Sequence, residues 1–312
     1  IFRRRLRHLG YLDNDVFLNP CTCLGTIHFI SMNLKSLHIP QLLKQYNIEP
    51  KKSLGQNFLV DHNALMKIVR DSEVGGSDHV LEIGAGLGNL TRILAAQAAS
   101  VTAIEIDQKL FPVLEATTKP FHNVRLVHGD ILKIPPGDLV GEDGYKVIAN
   151  IPYYITSAIL RHLLEAEIRP KSITLTMQQA VAKRILNRDD KLSLLSLSVQ
   201  LYGEAHISSH IPAACFFPQP EVDSSVLMID IYDQPRLSKE GIDSLFTLAH
   251  AAFNQKRKML RNSLKPVLGE MIGVLTPDLE LAGIDLRRRP ENLSLSEWIR
   301  LTEIYLTHSK NH

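Results

Sequence analysis

The chain has 312 residues, of which 45% are apolar and 22% are charged, which is globular composition and excludes wholesale disorder. Its length suits one large domain and one small one. No uncharged apolar run reaches the roughly 18 residues that a membrane span needs, so no membrane span is expected. The formal net charge of only +2 does not by itself indicate a nucleic-acid partner.

The three cysteines indicate a reducing compartment, and we expect a cytoplasmic protein. Cys21, Cys23 and Cys215 make no disulfide framework. Cys21 and Cys23 form an isolated C-x-C without a second pair of ligands, so we expect no metal site.

Residues 1–31 lack the pattern of a folded segment or of a targeting signal. Asp13 and Asp15 interrupt the apolar core that a secretory signal requires, and acids also argue against a mitochondrial transit peptide. An amphipathic sequence follows Met32. We expect residues 1–31 to be an upstream translation or a dispensable extension; the alternative is a basic arm that touches nucleic acid.

Short β-branched runs alternate with helical patterns from residue 63 to residue 178. This alternation predicts an α/β fold with a mostly parallel sheet and helices on both faces. Two strand-like pieces around a Pro-rich turn, within residues 205–233, predict a closing antiparallel hairpin. From residue 235 onward the patterns are helical only. We therefore expect a large domain over 32–234 and a small all-helical domain over 235–312.

A glycine-rich loop, E-x-G-x-G-x-G over residues 82–88, lies between a predicted strand and a predicted helix. Glycines such as Gly84 and Gly86 let the backbone approach a ligand at the start of a helix. A dinucleotide fingerprint needs its third glycine at the position of Asn89. The loop instead looks like the one that binds S-adenosylmethionine; a nucleotide site and a tight turn without a ligand are the alternatives.

Acidic residues stand at the ends of the next two predicted strands. Glu105 is a candidate to accept both ribose hydroxyls of a cofactor, and Asp107 to cap the following helix. Asp130 is a candidate acceptor for the adenine amino group, or alternatively caps a turn. Ile106 and Ile131 are candidates to sandwich the adenine ring. Since ligands bind at the carboxyl edge of such sheets, we expect these residues to lie together in a single cofactor site.

The tetrapeptide Asn150-Ile151-Pro152-Tyr153 follows another predicted strand. It looks like the motif of methyltransferases that act on the exocyclic amino group of a base, although a plain turn has the same composition. Several other segments occur in the order of one such family. They are residues 51–61, 81–88, 105–107, 129–130, 216–226, 253–264 and 283–294.

This set resembles the KsgA (RsmA) family of small-subunit ribosomal RNA adenine dimethyltransferases, from about residue 40 to the C-terminus. Two positions depart from the family pattern, Ala85 where proline is frequent and Ile151 where leucine is commoner. The resemblance implies a class I S-adenosylmethionine-dependent methyltransferase, active as a monomer on a precursor of the small ribosomal subunit. Its implied targets are two adjacent adenines in a hairpin near the 3′ end of the rRNA.

The resemblance also implies roles for three further residues. Asn57 and Leu59 match the family's N-terminal segment over the cofactor, although this stretch is also readable as a helix lead-in capped by Asp61. Phe216 matches an aromatic residue that contacts the target base on the face opposite to Tyr153. We expect the neighbouring Phe217 to belong to the core.

The tetrapeptide has a chemical rationale. An adenine amino group is a poor nucleophile because its lone pair is delocalised into the ring. The side-chain oxygen of Asn150 and the carbonyl of Pro152 are candidates to accept its two hydrogens, which favours a pyramidal nitrogen. Tyr153 offers a face on which the flipped-out base stacks. Rate enhancement then comes from alignment and fixed dipoles, with no strong general base.

Basic residues cluster in the C-terminal part. We expect a helix over 254–265, with Lys258, Arg261 and Lys265 on one side. Such clusters bind phosphates with low sequence specificity, although a solvated helix face has the same pattern. The candidate RNA-backbone contacts are Lys256, Arg257, Lys258, Arg261, Arg287 and Arg288.

Three alternative functions remain open at this stage. The first is a large-subunit rRNA adenine methyltransferase with an antibiotic-resistance phenotype. The second is a non-catalytic nucleic-acid-binding factor on the same fold. The third, a nucleotide-dependent oxidoreductase, is disfavoured by the glycine spacing.

Overall fold

The structure is a computed structural model that describes residues 34–141, 144–152, 155–186, 191–255 and 257–310. The predicted extension over 1–31, with Cys21 and Cys23, lies outside the described residues. No helix within the described ranges is both long enough and apolar enough to span a membrane.

Within the part of the chain that the structure describes, nine strands form two sheets. They are β1 (Phe58–Leu59), β2 (His79–Ile83), β3 (Ser100–Glu105), β4 (Val124–His128), β5 (Lys146–Asn150), β6 (Ser172–Gln178), β7 (Gly203–Ile211), β8 (Phe216–Phe217) and β9 (Ser224–Ile231). The large sheet has the order β4-β3-β2-β5-β6-β9-β7, and β1 pairs with β8 separately. The first five strands of that order are parallel, whereas β9 runs antiparallel to both β6 and β7. The predicted α/β class and its closing antiparallel strand are therefore confirmed.

The helices connect these strands and form the C-terminal part. They are α1 (Ile39–Gln45), α2 (His62–Asp71), α3 (Asn89–Ala95), α4 (Phe111–Thr118), α5 (Pro136–Val140), α6 (Thr156–Leu164), α7 (Gln179–Ile185), α8 (Leu194–Tyr202), α9 (Lys239–Phe253), α10 (Leu260–Leu268), α11 (Met271–Leu281) and α12 (Leu295–Ser309). Asp61 caps α2 by accepting a hydrogen bond from the Ala64 amide at 2.7 Å. The helices after residue 238 agree with the helical spacing of apolar residues in that part of the sequence.

The central strands are buried on both faces, as continuous apolar runs in a parallel sheet predict. Val147, Ile148 and Ala149 of β5 are all buried. The same hydrophobic core continues through α8 into the C-terminal helices, where Trp298 stacks on Phe253 with ring centroids 5.8 Å apart. The domain boundary near residue 234 stays a prediction.

One predicted helix begins later than the sequence indicates. Asn254, Gln255, Arg257 and Lys258 lie in turns and bends rather than in the first part of a helix over 254–265, and α10 begins at Leu260. The amide of Leu260 donates to the Arg288 carbonyl at 2.7 Å, and the amide of Arg261 donates to the Leu286 carbonyl at 3.0 Å. These contacts with a distant loop satisfy N–H groups at the start of the helix. Lys258 consequently lies before the helix rather than on its face.

An ion-pair network joins the amino ends of three parallel strands. Asp78 directly precedes β2, and its carboxylate contacts Lys171 Nζ at 2.5 Å and Lys146 Nζ at 3.1 Å. It also accepts a hydrogen bond from the Gly75 amide at 2.8 Å. Burial favours a higher pKa, but the hydrogen bonds from Lys171, Gly75 and Lys146 outweigh it and lower the pKa of Asp78 to about 2.

We expect Asp78→Asn to lower the free energy of unfolding at pH 7 by about 2 kcal/mol, since each pKa unit corresponds to about 1.4 kcal/mol. Because the pKa is lowered on folding, this stability is present above the ordinary value of 3.8 and is lost as the pH falls towards about 2. Urea unfolding at several pH values measures it. Asp71→Asn is the control, because Asp71 pairs with Lys67 within α2 and such pairs contribute about 0.3–0.5 kcal/mol. Equal losses in the two variants would contradict the prediction.

Candidate active site

A cavity opens at the carboxyl edge of the parallel strands. The candidate cofactor residues in its wall are Asn57, Gly84, Gly86, Glu105, Ile106, Asp130, Ile131 and Asn150. Residues separated by almost 100 positions in the chain therefore meet in one cleft, where open α/β sheets bind ligands. Leu59, the remaining cofactor candidate, is not in this wall.

Two glycines of the loop between β2 and α3 have backbone conformations that favour glycine. Gly86 has a φ of 59°, and a Cβ there would lie 3.2 Å from the Phe58 ring. Gly88 has a φ of 87°, and its Cβ would lie 2.6 Å from Thr117 Oγ1. The third glycine is thus required at 88, one position earlier than in the dinucleotide fingerprint. Asn89 begins α3 and donates from Nδ2 to the Leu59 carbonyl at 3.0 Å.

The Glu105 carboxylate is buried at the end of β3, with 6% of the residue exposed. One oxygen accepts a hydrogen bond from the Gly86 amide at 2.8 Å, and the other accepts from the Asp107 amide at 2.9 Å. Burial raises the pKa of Glu105. Hydrogen bonds from the Asp107, Gly86 and Ile106 amides act against this rise. Two carboxylate oxygens offer about four acceptor sites, so the group retains capacity for a hydroxyl hydrogen from the cavity.

Glu82, the acid that leads the glycine loop, lies outside the cavity wall. It is buried in β2, where Ile83 lines the cavity and Glu82 points to the opposite face of the sheet. Burial raises the pKa of Glu82 to about 8, and the nearby Glu105 charge adds to the effect. With this pKa the leading acid is mostly protonated at neutral pH, and its hydrogen-bond partner is Thr91 of α3.

Asp130 lines the cavity and also caps a turn. Its Oδ1 accepts a hydrogen bond from the Leu132 amide at 3.1 Å, at the start of a short 3₁₀ helix. The two sequence interpretations of Asp130 are thus compatible, because its carboxylate has acceptor sites left. Ile131 is buried, whereas Ile106 is 49% exposed. An apolar side chain exposed in a cavity wall suits contact with a flat ring.

The side-chain amide of Asn150 has a defined orientation. Its Nδ2 donates to the Asn57 carbonyl at 3.1 Å. A carbonyl only accepts hydrogen bonds, so this contact assigns the amide nitrogen to the Asn57 side. No donor to Oδ1 is found among the residues that the structure describes, so Oδ1 is an acceptor for another group at the cavity.

The rest of the tetrapeptide is partly described. Ile151 is buried and anchors the segment in the core, and Pro152 lines the cavity. The Pro152 carbonyl accepts a long hydrogen bond of 3.4 Å from the Ile155 amide, so it retains acceptor capacity. Tyr153, predicted to act in catalysis and to stack on the base, lies outside the described residues.

The Phe216–Phe217 pair differs in part from the expectation. β1 and β8 pair Leu59 with Phe216 and Phe58 with Phe217. Phe216 is 4% exposed and is not in the cavity wall, whereas Phe217 is 38% exposed. The expectation that Phe217 belongs to the core is wrong, because alternation along β8 turns the two rings to opposite faces. Stacking of Phe216 on a base stays a prediction.

Two predicted basic clusters are adjacent in space. The hydrogen bonds of Leu260 and Arg261 to the 286–288 backbone join the start of α10 to the arginine-rich loop. Arg257, Lys258 and Arg261 are exposed. Arg287 is exposed too but pairs with Asp285 at 3.1 Å.

Arg288 has a structural partner. Its guanidinium contacts the Glu297 carboxylate, which also accepts from the Ser294 amide in the capping box of α12. RNA contact by Arg288 therefore competes with an existing ion pair. Lys256 lies outside the described residues.

The wall of the cavity fits an adenosyl cofactor. It combines the two loop glycines Gly84 and Gly86, a buried carboxylate at Glu105, a second acid at Asp130 and the apolar Ile106 and Ile131. These are acceptors for hydroxyl and amino hydrogens beside apolar groups for a ring. S-adenosylmethionine offers both.

Comparison with protein families gives one match. A model of the family described as ribosomal RNA adenine dimethylase matches residues 47–306. Proteins called ribosomal RNA small subunit methyltransferase A are similar over most of their length. The one from Moorella thermoacetica is 44% identical, covering 84% of this chain and 94% of the relative. The one from Dehalococcoides mccartyi is 41% identical, covering 84% and 90%.

Solved structures share the fold. The 23S rRNA methyltransferase ErmE is 26% identical with a TM-score of 0.65, covering 80% of this chain and 99% of that one. A dimethyladenosine transferase from Plasmodium falciparum has a TM-score of 0.70 at 24% identity, covering 81% and 98%.

Proposed function

This chain belongs to the ribosomal RNA adenine dimethylase family, and from that premise we propose that it methylates small-subunit ribosomal RNA. The proposed reaction transfers methyl groups from S-adenosylmethionine to the N6 amino groups of two adjacent adenines near the 3′ end of the RNA. The relatives named ribosomal RNA small subunit methyltransferase A support this choice of subunit. A cytoplasmic location and a monomeric state stay predictions.

The observation that carries the chemistry is the orientation of Asn150. With Nδ2 engaged by the Asn57 carbonyl, Oδ1 accepts one hydrogen of the adenine amino group, and the Pro152 carbonyl accepts the other. Both acceptors draw the nitrogen towards a pyramidal geometry, which localises its lone pair. S-adenosylmethionine supplies a methyl group already activated by its sulfonium charge. Positioning and fixed dipoles therefore provide the rate enhancement.

The proposed cofactor contacts use the cavity wall. Glu105 accepts the ribose hydroxyls, Asp130 accepts from the adenine amino group, and Ile106 and Ile131 contact the two faces of the adenine ring. Gly84 and Gly86 leave space for the backbone to approach the cofactor. Tyr153 stacks on the target base.

A methylation assay with labelled S-adenosylmethionine on undermethylated small and large ribosomal subunits tests the substrate. We expect label on adenines of the small subunit. The likeness to the 23S rRNA methyltransferase ErmE makes the large subunit the second candidate, and label there would overturn the proposal. Absence of label on both would favour a non-catalytic RNA-binding factor.

We expect the double variant Lys258→Ala and Arg261→Ala to weaken RNA binding without changing the affinity for S-adenosylmethionine. Both side chains are exposed at or before the start of α10, far along the chain from the cavity residues. Each lost phosphate contact reduces the salt slope of RNA binding by about one unit. Titrations of the rRNA hairpin at several salt concentrations measure this slope.

The matched control removes two exposed lysines from the large domain, Lys44→Ala with Lys119→Ala. It lowers the net charge by the same amount, so long-range attraction changes equally. Equal reductions of the slope in the two double variants would refute a local RNA contact at α10.

A further inference from the structure

The Asp107 carboxylate makes more contacts than a helix cap requires. It caps a 3₁₀ turn by accepting from the Lys109 amide at 3.1 Å. The same carboxylate also contacts Lys51 Nζ at 2.7 Å and Gln56 Nε2 at 2.9 Å. Its side chain is 3% exposed. The two extra donors come from more than 50 positions earlier in the chain.

Both donors belong to one segment beside the cavity, residues 51–57. Leu54, Gln56 and Asn57 of this 51–57 segment line the cavity, whereas Lys51 does not. Gln56 Oε1 also accepts from the Lys51 amide at 2.7 Å, which closes the segment into a loop. The two ends of this loop are therefore attached to the single carboxylate of Asp107.

The same segment continues directly to the catalytic amide. Asn57 follows Gln56, and its carbonyl accepts from Asn150 Nδ2 at 3.1 Å. In the other direction, the Asp107 amide donates to Glu105 at 2.9 Å. One hydrogen-bonded chain thus connects the proposed ribose acceptor with the proposed methylation centre.

Asp107 is ionised at neutral pH. Burial favours a higher pKa, but hydrogen bonds from Lys51 and Gln56 outweigh it and lower the pKa of Asp107. Hydrogen bonds to an ionised group are stronger than neutral ones. The contacts to the 51–57 segment are accordingly among the stronger ones around the cavity.

We propose that Asp107 is a positioning residue, which fixes the 51–57 segment against the cofactor cavity and thereby sets the orientation of Asn150. This inference rests on the proposed function. Asp107 acts through Gln56 and Asn57 rather than by contact with either substrate. Loss of these contacts reduces cofactor affinity, because the segment is part of the cavity wall, and also turnover, because Asn150 loses its orienting carbonyl.

Asp107→Asn tests the proposal, because asparagine keeps an oxygen for the Lys109 amide and loses the acceptor for Gln56. We expect the affinity for S-adenosylmethionine, measured by calorimetry, to fall about tenfold or more, as the loss of a charged hydrogen bond predicts. We also expect kcat on undermethylated small subunits to fall. Adding Gln56→Glu reverses the polarity of the contact, and we expect this double variant to recover most of both losses.

A second variant leaves the 3₁₀ turn that Asp107 caps unchanged. Lys51→Met removes the ion pair without touching the Asp107 backbone or the cavity wall. We expect its effects to have the same direction and to be non-additive with those of Asp107→Asn.

Wild-type affinity and turnover in folded Asp107→Asn would overturn the inference. A folded Gln56→Glu, Asp107→Asn protein that recovers neither cofactor affinity nor kcat would also overturn it. If Asp107 only capped the turn, a change at Gln56 would have no effect on these two quantities. In both cases the wild-type protein still methylates the small subunit, so the proposed function stands. A wild-type protein that neither binds S-adenosylmethionine nor methylates the subunit would overturn the proposed function and this inference with it.

Discussion

Asn150→Ala is expected to lower the rate of methyl transfer by a factor of about 10²–10³, which is typical for the loss of one oriented dipole at a reacting centre. Alanine removes the oxygen that is proposed to accept an amino hydrogen. It also leaves the Asn57 carbonyl without the Asn150 donor that it has in this structure. S-adenosylmethionine should still bind, although more weakly, because Asn150 forms part of the cavity wall. Single-turnover assays with purified small subunits separate the rate from binding.

Asn150→Asp separates the two functions of the amide. It retains an acceptor oxygen but has no donor for the Asn57 carbonyl, so we expect intermediate or low activity with a pH dependence absent from the wild type. Asn63→Ala, an exposed residue of α2, is the control for a generic asparagine replacement. Wild-type methylation by Asn150→Ala would mean that the tetrapeptide is a plain turn.

The sequence predicts which candidate residues meet at the cavity because the relevant signals are local. Glycine spacing, a carboxylate at a strand end and a Pro-containing tetrapeptide each lie within a few residues. Strand–helix alternation then requires Glu105, Asp130 and Asn150 to meet at the same edge of the sheet, because parallel strands end there together. All three line one cavity.

The contacts that the sequence does not reveal join distant parts of the chain. Nothing in the local pattern around Asn89 predicts its hydrogen bond to the Leu59 carbonyl, 30 positions away. Lys51 and Gln56 look like ordinary polar residues until the fold brings them to Asp107. Such pairings depend on tertiary structure, so neither the spacing of apolar residues nor the amino-acid composition predicts them.

Two sequence predictions fail for the same reason. The helix expected from residue 254 begins at Leu260, because its first amides bind the carbonyls of Leu286 and Arg288. The exposure of the Phe217 ring depends on the pairing of β8 with β1, which the local sequence does not indicate. In each case a long-range contact outweighs a local preference.

Glu105→Ala is expected to reduce the affinity for S-adenosylmethionine by a factor on the order of 10²–10⁴. The carboxylate keeps acceptor capacity beyond its bonds to the Gly86 and Asp107 amides. Two hydrogen bonds to a charged group contribute about 1.5–3 kcal/mol each, and every 1.4 kcal/mol corresponds to about tenfold in affinity. Calorimetry measures the change, with circular dichroism to establish that the variant is folded.

Glu105→Ala also removes the acceptor for the Gly86 and Asp107 amides, which can disturb the glycine loop. A second experiment therefore changes the ligand instead of the protein. A 2′-deoxy analogue of S-adenosylmethionine lacks one of the hydroxyls that Glu105 is proposed to accept. We expect the analogue to bind the wild type about tenfold or more weakly than S-adenosylmethionine, as loss of one charged hydrogen bond predicts, and to bind Glu105→Ala with nearly the same affinity as S-adenosylmethionine. Because the comparison is made within each protein, any disturbance of the glycine loop cancels. If both proteins discriminate equally against the missing hydroxyl, Glu105 supports the loop and another group recognises the ribose.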